Sequence, residues 1–281
     1  EQLWEKENGR WQLVMKVMVK DGCVTTRELT KAVAGALNRR MIPEKDTKTL
    51  IGKGVNLYTY EEEPRFQAIY GVARMVKDGA AVSGDNFSFL EPESGKMVMC
   101  LSDGMGSGSL ACKESEMVIE LVEKFLEAGF DVETAARMMN SAMVMKGQED
   151  LFSTVDISEL DLYDGTCRFY KIGAAATFIR RNGIVECLIS TSLPVGVSYK
   201  LDMEKSEKDL YNGDFLVMVS DGVLEYLHVP NPEETMQEII ESIETNNATI
   251  LAKRILERVL LFTGGKAADD MTVLATAIWE K

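Results

Sequence analysis

The sequence predicts an α+β protein in which antiparallel strands are grouped apart from paired helices. Three observations carry this. Short apolar runs between 157 and 190 are separated by Asp-Gly and Asn-Gly dipeptides, which mark hairpins. Stretches of helical period come in pairs, at 109–145 and 232–262. Strand and helix do not alternate, which argues against a doubly wound parallel sheet.

The elements follow in order. WQLVMKVMVK at 11–20 places apolar side chains at every odd position, the period of a strand, and Asp21-Gly22 closes it. Thr25 or Thr26 caps a helix through about Leu37, with Leu29, Val33, Ala36 and Leu37 on one stripe. A loop with Pro43 and Asp46 follows, then extended segments at 56–60 and 65–76, with EEEP at 61–64 as a linker. Residues 1–63 therefore read as a small α/β regulatory or linker segment, and 64–281 as the main domain. FSFLE and KMVMCLSD are two strands joined by a turn at Pro92–Gly95. The helix at 109–128 gathers Met117, Val118, Leu121, Val122, Phe125 and Leu126 on one face and stops at Gly129. Asp131 caps the next, through Met145. Strands are expected at 157–165, 167–173, 176–183 and 184–190, then at DFLVMVSDG. Helices near 232–244 and 247–262, the second ended by Gly264-Gly265, precede the last strand, MTVLATAIW.

Composition narrows the chemistry. The net charge of −14 argues against nucleic acid, whose phosphates need clustered Lys and Arg. No apolar run approaches the 18 or so residues of a membrane helix, so no membrane contact is expected of this fragment, which is read as cytoplasmic. Five cysteines without a C-x-x-C pair suit a reducing compartment and small core positions. The single histidine, His228, lies in EYLHVPNP and reads as a surface loop residue. One histidine cannot build a His-rich zinc site, and no G-x-S-x-G elbow partners it.

What remains is acidic. Two apolar runs end in the same tripeptide, Ser102-Asp103-Gly104 and Ser220-Asp221-Gly222. Asp85 opens another strand in VSGDNFSF, and Asp269-Asp270 precede the last in KAADDMTV. One Asp-Gly is ordinarily a turn. Four acids at strand ends are a set. Gly104 is expected to let the backbone turn sharply and leave its carbonyl open beside the Asp103 carboxylate. Converging carboxylates repel, and divalent cations relieve the repulsion. Oxygen ligands without histidine suit two Mn²⁺ or Mg²⁺ ions, which suit phosphate-ester hydrolysis by activated water. The competing reading of GMGSGSL as a nucleotide loop fails at Ser109 and lacks the Gly-Lys-Ser/Thr ending.

SGDNFSF, LSDGMGSG, VSDG and ADDMTV, in this order, resemble the metal-dependent serine/threonine phosphatases of the PPM class (type 2C), and within it the SpoIIE type. GVARMVKDGAAVSGDNFSF, STVDISELDLYDGTCRFYKIG and SLPVGV extend the likeness over about residues 65–281. The resemblance implies a PPM-type β-sandwich of two antiparallel sheets flanked by helix pairs. It implies that Asp103 bridges two metals, that the Gly104 carbonyl binds one, that Asp221 and Asp269 complete the second site, and that Asp85 acts near the first. Asp270 is the runner-up to Asp269. The eukaryotic branch has histidine after Asp-Gly; here Met105 stands there, which leaves the proton donor open. Arg74 and Lys77 are the candidates for contacting phosphate. The implied substrate is a phosphorylated anti-sigma factor antagonist, whose dephosphorylation activates a sporulation sigma factor. The resemblance also implies a membrane anchor in the full-length protein. Two rivals stand beside this reading. One is a stress-response phosphatase with another antagonist. The other is an interaction module whose phosphatase core is normally inactive, controlled by residues 1–60, with homodimerisation as one route.

Overall fold

The computed structural model describes residues 10–20, 22–44, 47–91, 95–106, 108–145, 152–262, 264–267 and 269–281, with the backbone alone for 2–5. Asp21, Asp46 and turn residues 92–94, all named in the sequence reading, lie outside the described residues. The chain divides into two compact units, Glu1–Pro64 and Arg65–Lys281.

The first unit holds β1 (Gln2–Glu5), β2 (Trp11–Val19), β3 (Val24–Thr25), α1 (Thr26–Leu37), β4 (Met41–Pro43), β5 (Leu50–Ile51) and β6 (Gly54–Glu62). Its antiparallel sheet runs β1-β2-β6-β4. The period-two residues Leu13, Met15, Val17 and Val19 face one core with Val33, Leu29 and Leu37 of α1. Thr25 is the N-cap. Its hydroxyl accepts from the Glu28 N–H, and the Glu28 carboxylate accepts from the Thr25 N–H, a capping box. The expected linker EEEP is corrected: Glu61 and Glu62 pair with Gln12, Ile42 and Met41 inside the sheet, so the strand runs to Glu62.

The second unit continues with β7 (Phe66–Met75), β8 (Asp85–Leu90), β9 (Lys96–Gly104), α2 (Ser109–Glu127), α3 (Val132–Met145), β10 (Ser153–Asp161), β11 (Thr166–Ile172), β12 (Thr177–Arg181), β13 (Ile184–Leu188), β14 (Glu204–Asp209), β15 (Phe215–Val219), α4 (Asp221–Glu225), α5 (Pro232–Glu241), α6 (Ala248–Phe262) and β16 (Met271–Glu280). Two five-stranded antiparallel sheets form, ordered β14-β11-β10-β9-β8 and β13-β12-β15-β16-β7. Buried side chains show how they layer. Along β9, Met97, Met99 and Leu101 enter the core between the sheets, while Val98 and Cys100 enter a core with α2 and α3. Along β15, Leu216 and Met218 face the other sheet, while Phe215, Val217 and Val219 face α5 and α6. Strands buried on both faces need continuous apolar runs, which is why KMVMCL and FLVMV do not alternate. Each such side chain contributes about 1.5–3 kcal/mol by leaving water.

A buried ion pair within one sheet is joined by a hydroxyl from the other. Lys171 on β11 donates to Asp156 on β10 at 2.6 Å, and Thr177, from the other sheet, donates to the same carboxylate oxygen. Three boundaries differ from the sequence reading. β10 begins at Ser153, not 157, because Ser153 to Asp161 pair without a break against Gly104 to Lys96. α5 stops at Glu241. Asp221 opens a short helix rather than closing a strand. The cysteines are free: Cys100 and Cys167 are buried, Cys112 and Cys187 partly so, and Cys23 is exposed. His228 is exposed, at φ 48°, with its ring edge-on to Tyr226. No helix among the described residues is long and apolar enough to cross a membrane.

Candidate metal centre

Both Ser-Asp-Gly tripeptides are joints between neighbouring backbones, and each residue has a job. The Ser102 hydroxyl donates to the Thr154 carbonyl at 2.9 Å, and the Asp103 N–H donates to the Thr154 hydroxyl at 3.2 Å. In the other sheet, the Ser220 hydroxyl accepts from the Thr272 N–H at 2.9 Å, and the Ser220 N–H donates to the Thr272 carbonyl at 3.0 Å. The serines thus latch each strand end to the next strand. The glycines admit a second backbone. A Cβ on Gly104 would stand 2.1 Å from the Ala111 carbonyl oxygen, and one on Gly222 would stand 2.2 Å from that of Asp270. The expected sharp turn at Gly104 is therefore corrected. It is still paired with Ser153 inside β9, its φ is not positive, and close approach is what demands glycine.

These joints bring the four predicted acids to one edge of the sandwich. Asp85 and Asp103 are directly opposite in the β8–β9 pair. The Asp221, Asp85 and Asp269 carboxyls all act on the Asp103 carboxyl. Burial, first, and then these three acids push the Asp103 carboxyl far above the ordinary carboxylate range. Asp85 is fully buried, and neither carboxylate oxygen has a hydrogen-bond partner. Burial raises its pKa to about 6, with Asp221 and Asp270 adding to the rise. The Ser220 and Thr272 hydroxyls oppose that rise from beyond hydrogen-bond geometry. Glu225 on α4 is also raised, by burial and then by Asp221 and Asp269. Among the described residues, no three His, Cys, Asp or Glu side chains are already gathered tightly enough to chelate an ion. The acids converge and repel. Oxygen donors in excess, with both oxygens of a buried carboxylate unsatisfied, fit hard divalent cations.

Asp269 and Asp270 part company. Asp270 is buried, and its two oxygens accept from the Lys77 N–H at 2.9 Å and the Gly84 N–H at 2.7 Å. It staples both ends of the loop between β7 and β8. Asp269 is half-exposed, and its carboxylate meets the Lys77 ammonium at 3.7 Å. The Arg74 guanidinium donates to the Asp85 carbonyl at 2.6 Å and lies over the Phe87 ring. Met105 is exposed, and its N–H donates to the Phe152 carbonyl. Sequence reasoning did not find the roles of Thr154, Ser220 and Thr272. Their signal was the serine repeated before each aspartate and the threonine two residues after Asp270.

The sequence model of the stage II sporulation protein E (SpoIIE) family matches residues 93–278. This chain belongs to the SpoIIE family. Stage II sporulation protein E of Bacillus subtilis is 29% identical over 278 residues, which is 99% of this chain. The chain spans 34% of that relative's length. A solved structure of the PP2C phosphatase domain and a fragment of the regulatory domain of SpoIIE from Bacillus subtilis superposes with a TM-score of 0.80. It is 28% identical and covers 100% of this chain and 82% of that one. The fold is thus the PP2C type, two antiparallel sheets with flanking helices, as expected. A more distant SpoIIE-like fold is the catalytic domain of the serine threonine protein phosphatase PstP, solved in complex with 2 manganese ions. It is 17% identical, with a TM-score of 0.60, and covers 76% of this chain and 100% of that one.

Proposed function

We propose that this SpoIIE-family chain is the catalytic part of a divalent-cation-dependent phosphoserine protein phosphatase. The observation that carries this is the convergence of Asp103, Asp221, Asp85 and Asp269 on one edge, with both oxygens of buried Asp85 unsatisfied. Asp103 is the central ligand, since all three other acids act on it. Asp221 and Asp269 are the ligands of a second ion, and Asp85 and the Gly104 carbonyl belong to the first. Asp269 is preferred to Asp270 because backbone N–H groups already engage both Asp270 oxygens. Two Mn²⁺ or Mg²⁺ ions held there supply Lewis-acid activation of water and of the phosphoryl oxygens. The chain's own residues do the rest. Thr154 fixes the Asp103 backbone, Arg74 fixes Asp85, and Arg74 and Lys77 bring positive charge beside a phosphoryl group.

The substrate class follows from the SpoIIE likeness. It is a phosphoserine on a small anti-sigma factor antagonist, whose dephosphorylation activates a sporulation sigma factor in the cytoplasm. Residues 1–63 are proposed as the regulatory segment, because they fall in a compact unit of their own. The test is hydrolysis of p-nitrophenyl phosphate and of a phosphoserine protein by 1–281 in EDTA, Mg²⁺ or Mn²⁺. Mn²⁺- or Mg²⁺-dependent turnover, abolished in Asp103→Ala and Asp221→Ala with the fold retained, is expected. Full activity in either variant refutes the reading.

A further inference from the structure

The loop from 76 to 84 joins β7 to β8 at the acidic edge, and Asp270 holds it at both ends through the Lys77 and Gly84 N–H groups. The Asp78 N–H donates to the Ala267 carbonyl at 2.7 Å, which ties the same loop to the segment that leads into Asp269. Fixed in this way, the Lys77 backbone delivers its side chain to Asp269. The ammonium stands 3.7 Å from Asp269 Oδ1, and both groups are a little over one third exposed.

We infer that Lys77 is a built-in competitor for the divalent cation at Asp269, so that this ion pair sets the metal affinity of the centre. The inference rests on the metal-centre reading above. An ammonium and a divalent ion cannot share one carboxylate oxygen without mutual repulsion. Oδ1 also accepts from the Asp270 N–H at 3.0 Å, so a cation at Asp269 meets the ammonium across one carboxylate, and their repulsion favours swinging the Lys77 side chain away, which its four rotatable bonds allow. The backbone staple at Asp270 keeps the displaced ammonium within reach, so the penalty is local and reversible. The charge logic also explains a division of labour between the two adjacent aspartates. Asp270 holds the loop and Asp269 holds the exchangeable cation.

The test is Mn²⁺ titration by calorimetry, with free-ion electron paramagnetic resonance as a second readout, on wild type, Lys77→Met, Lys77→Gln, Lys77→Arg, Asp269→Asn and Asp269→Asn/Lys77→Met. Removing the charge is expected to tighten the weaker Mn²⁺ site roughly three- to tenfold, the range of a partly exposed charge contact. Lys77→Arg keeps the charge and stays within about twofold of wild type. In the Asp269→Asn background, the gain from Lys77→Met is expected to vanish. Equal or weaker binding by both Lys77→Met and Lys77→Gln overturns the inference while leaving the metal centre standing. A gain that persists undiminished with Asp269→Asn also overturns it, since the effect is then general charge rather than this pair. Wild type that binds no Mn²⁺ overturns the metal-centre reading and the inference with it.

Discussion

Replacing Asp85 with Asn tests whether the acidic edge strains the fold. The side chain is fully buried, both oxygens lack partners, and its pKa stands at about 6 against an ordinary 3.8. A folded pKa raised above the unfolded value favours the protonated form in the fold. Its contribution to stability is therefore fully present below about pH 4 and is lost as the pH rises through about 6. A shift of about two units amounts to roughly 3 kcal/mol. Asn is isosteric and neutral throughout, so this loss disappears in the variant. Relief extends to Asp103, whose carboxyl Asp85 helps to raise. Urea denaturation in EDTA at several pH values between 4.5 and 7.5 reads the difference. The stability of Asp85→Asn relative to wild type is expected to climb by about 2 kcal/mol across that window, the first part of the full effect having already developed below pH 4.5. Saturating Mn²⁺ is expected to reverse the order at pH 7.5. An Asn amide that finds no partner adds a constant offset, so the slope with pH is the decisive quantity. A flat difference refutes the reasoning.

Four further variants probe the site and the core behind it. Asp270→Asn turns an acceptor into a donor facing a backbone N–H, and is expected to cost about 1–3 kcal/mol by denaturant unfolding. Asp269→Asn is expected to leave stability in EDTA nearly unchanged while weakening Mn²⁺ binding. Equal stability losses in the two contradict the assignment of staple and ligand. Gly222→Ala places a methyl 2.2 Å from the Asp270 carbonyl oxygen, and a loss of about 1–3 kcal/mol or more is expected in thermal melts. Lys171→Met leaves the buried Asp156 carboxylate without its cation, and about 3–5 kcal/mol is expected to be lost, largely recovered on adding Asp156→Leu.

The sheets that carry the site were legible because their strands are apolar on both faces or closed by Asn-Gly and Asp-Gly turns. Asn182 and Gly183 both take positive φ between β12 and β13, as such a turn requires. β14 was not legible. EKSEKD offers no apolar residue, and it becomes a strand only by pairing at the edge of β11, where Arg168 meets Glu207 at 2.8 Å. α4 escaped because five residues carry too little periodicity to register. The four acids could be picked out by their place at strand ends. That Asp85 and Asp103 lie opposite one another depends on register, which is set by pairing and not by either strand alone. The choice between Asp269 and Asp270 was equally hidden. Adjacent residues in extended chain point to opposite sides, and only the position of Lys77 and Gly84 decides which one is consumed by the backbone.

The repeated Ser-Asp-Gly can now be understood as one physical solution used twice. A carboxylate presented at a sheet edge must be held by a backbone that is itself running out of ladder hydrogen bonds. Serine supplies the missing bond to the neighbouring strand, and glycine lets a second main chain close over the joint. The aspartate between them is then left with no local partner. In a structural turn an aspartate satisfies itself on nearby N–H groups. Here Asp85 has no such partner, Asp103 faces three other acids, and Asp270 takes the structural role with both of its oxygens. An edge that keeps such unsatisfied charge together loses stability at neutral pH, and a cation bound as proposed would restore it. The pH dependence of folding and the affinity for metal are therefore two readings of one arrangement. Any substitution that flattens the first is expected to weaken the second.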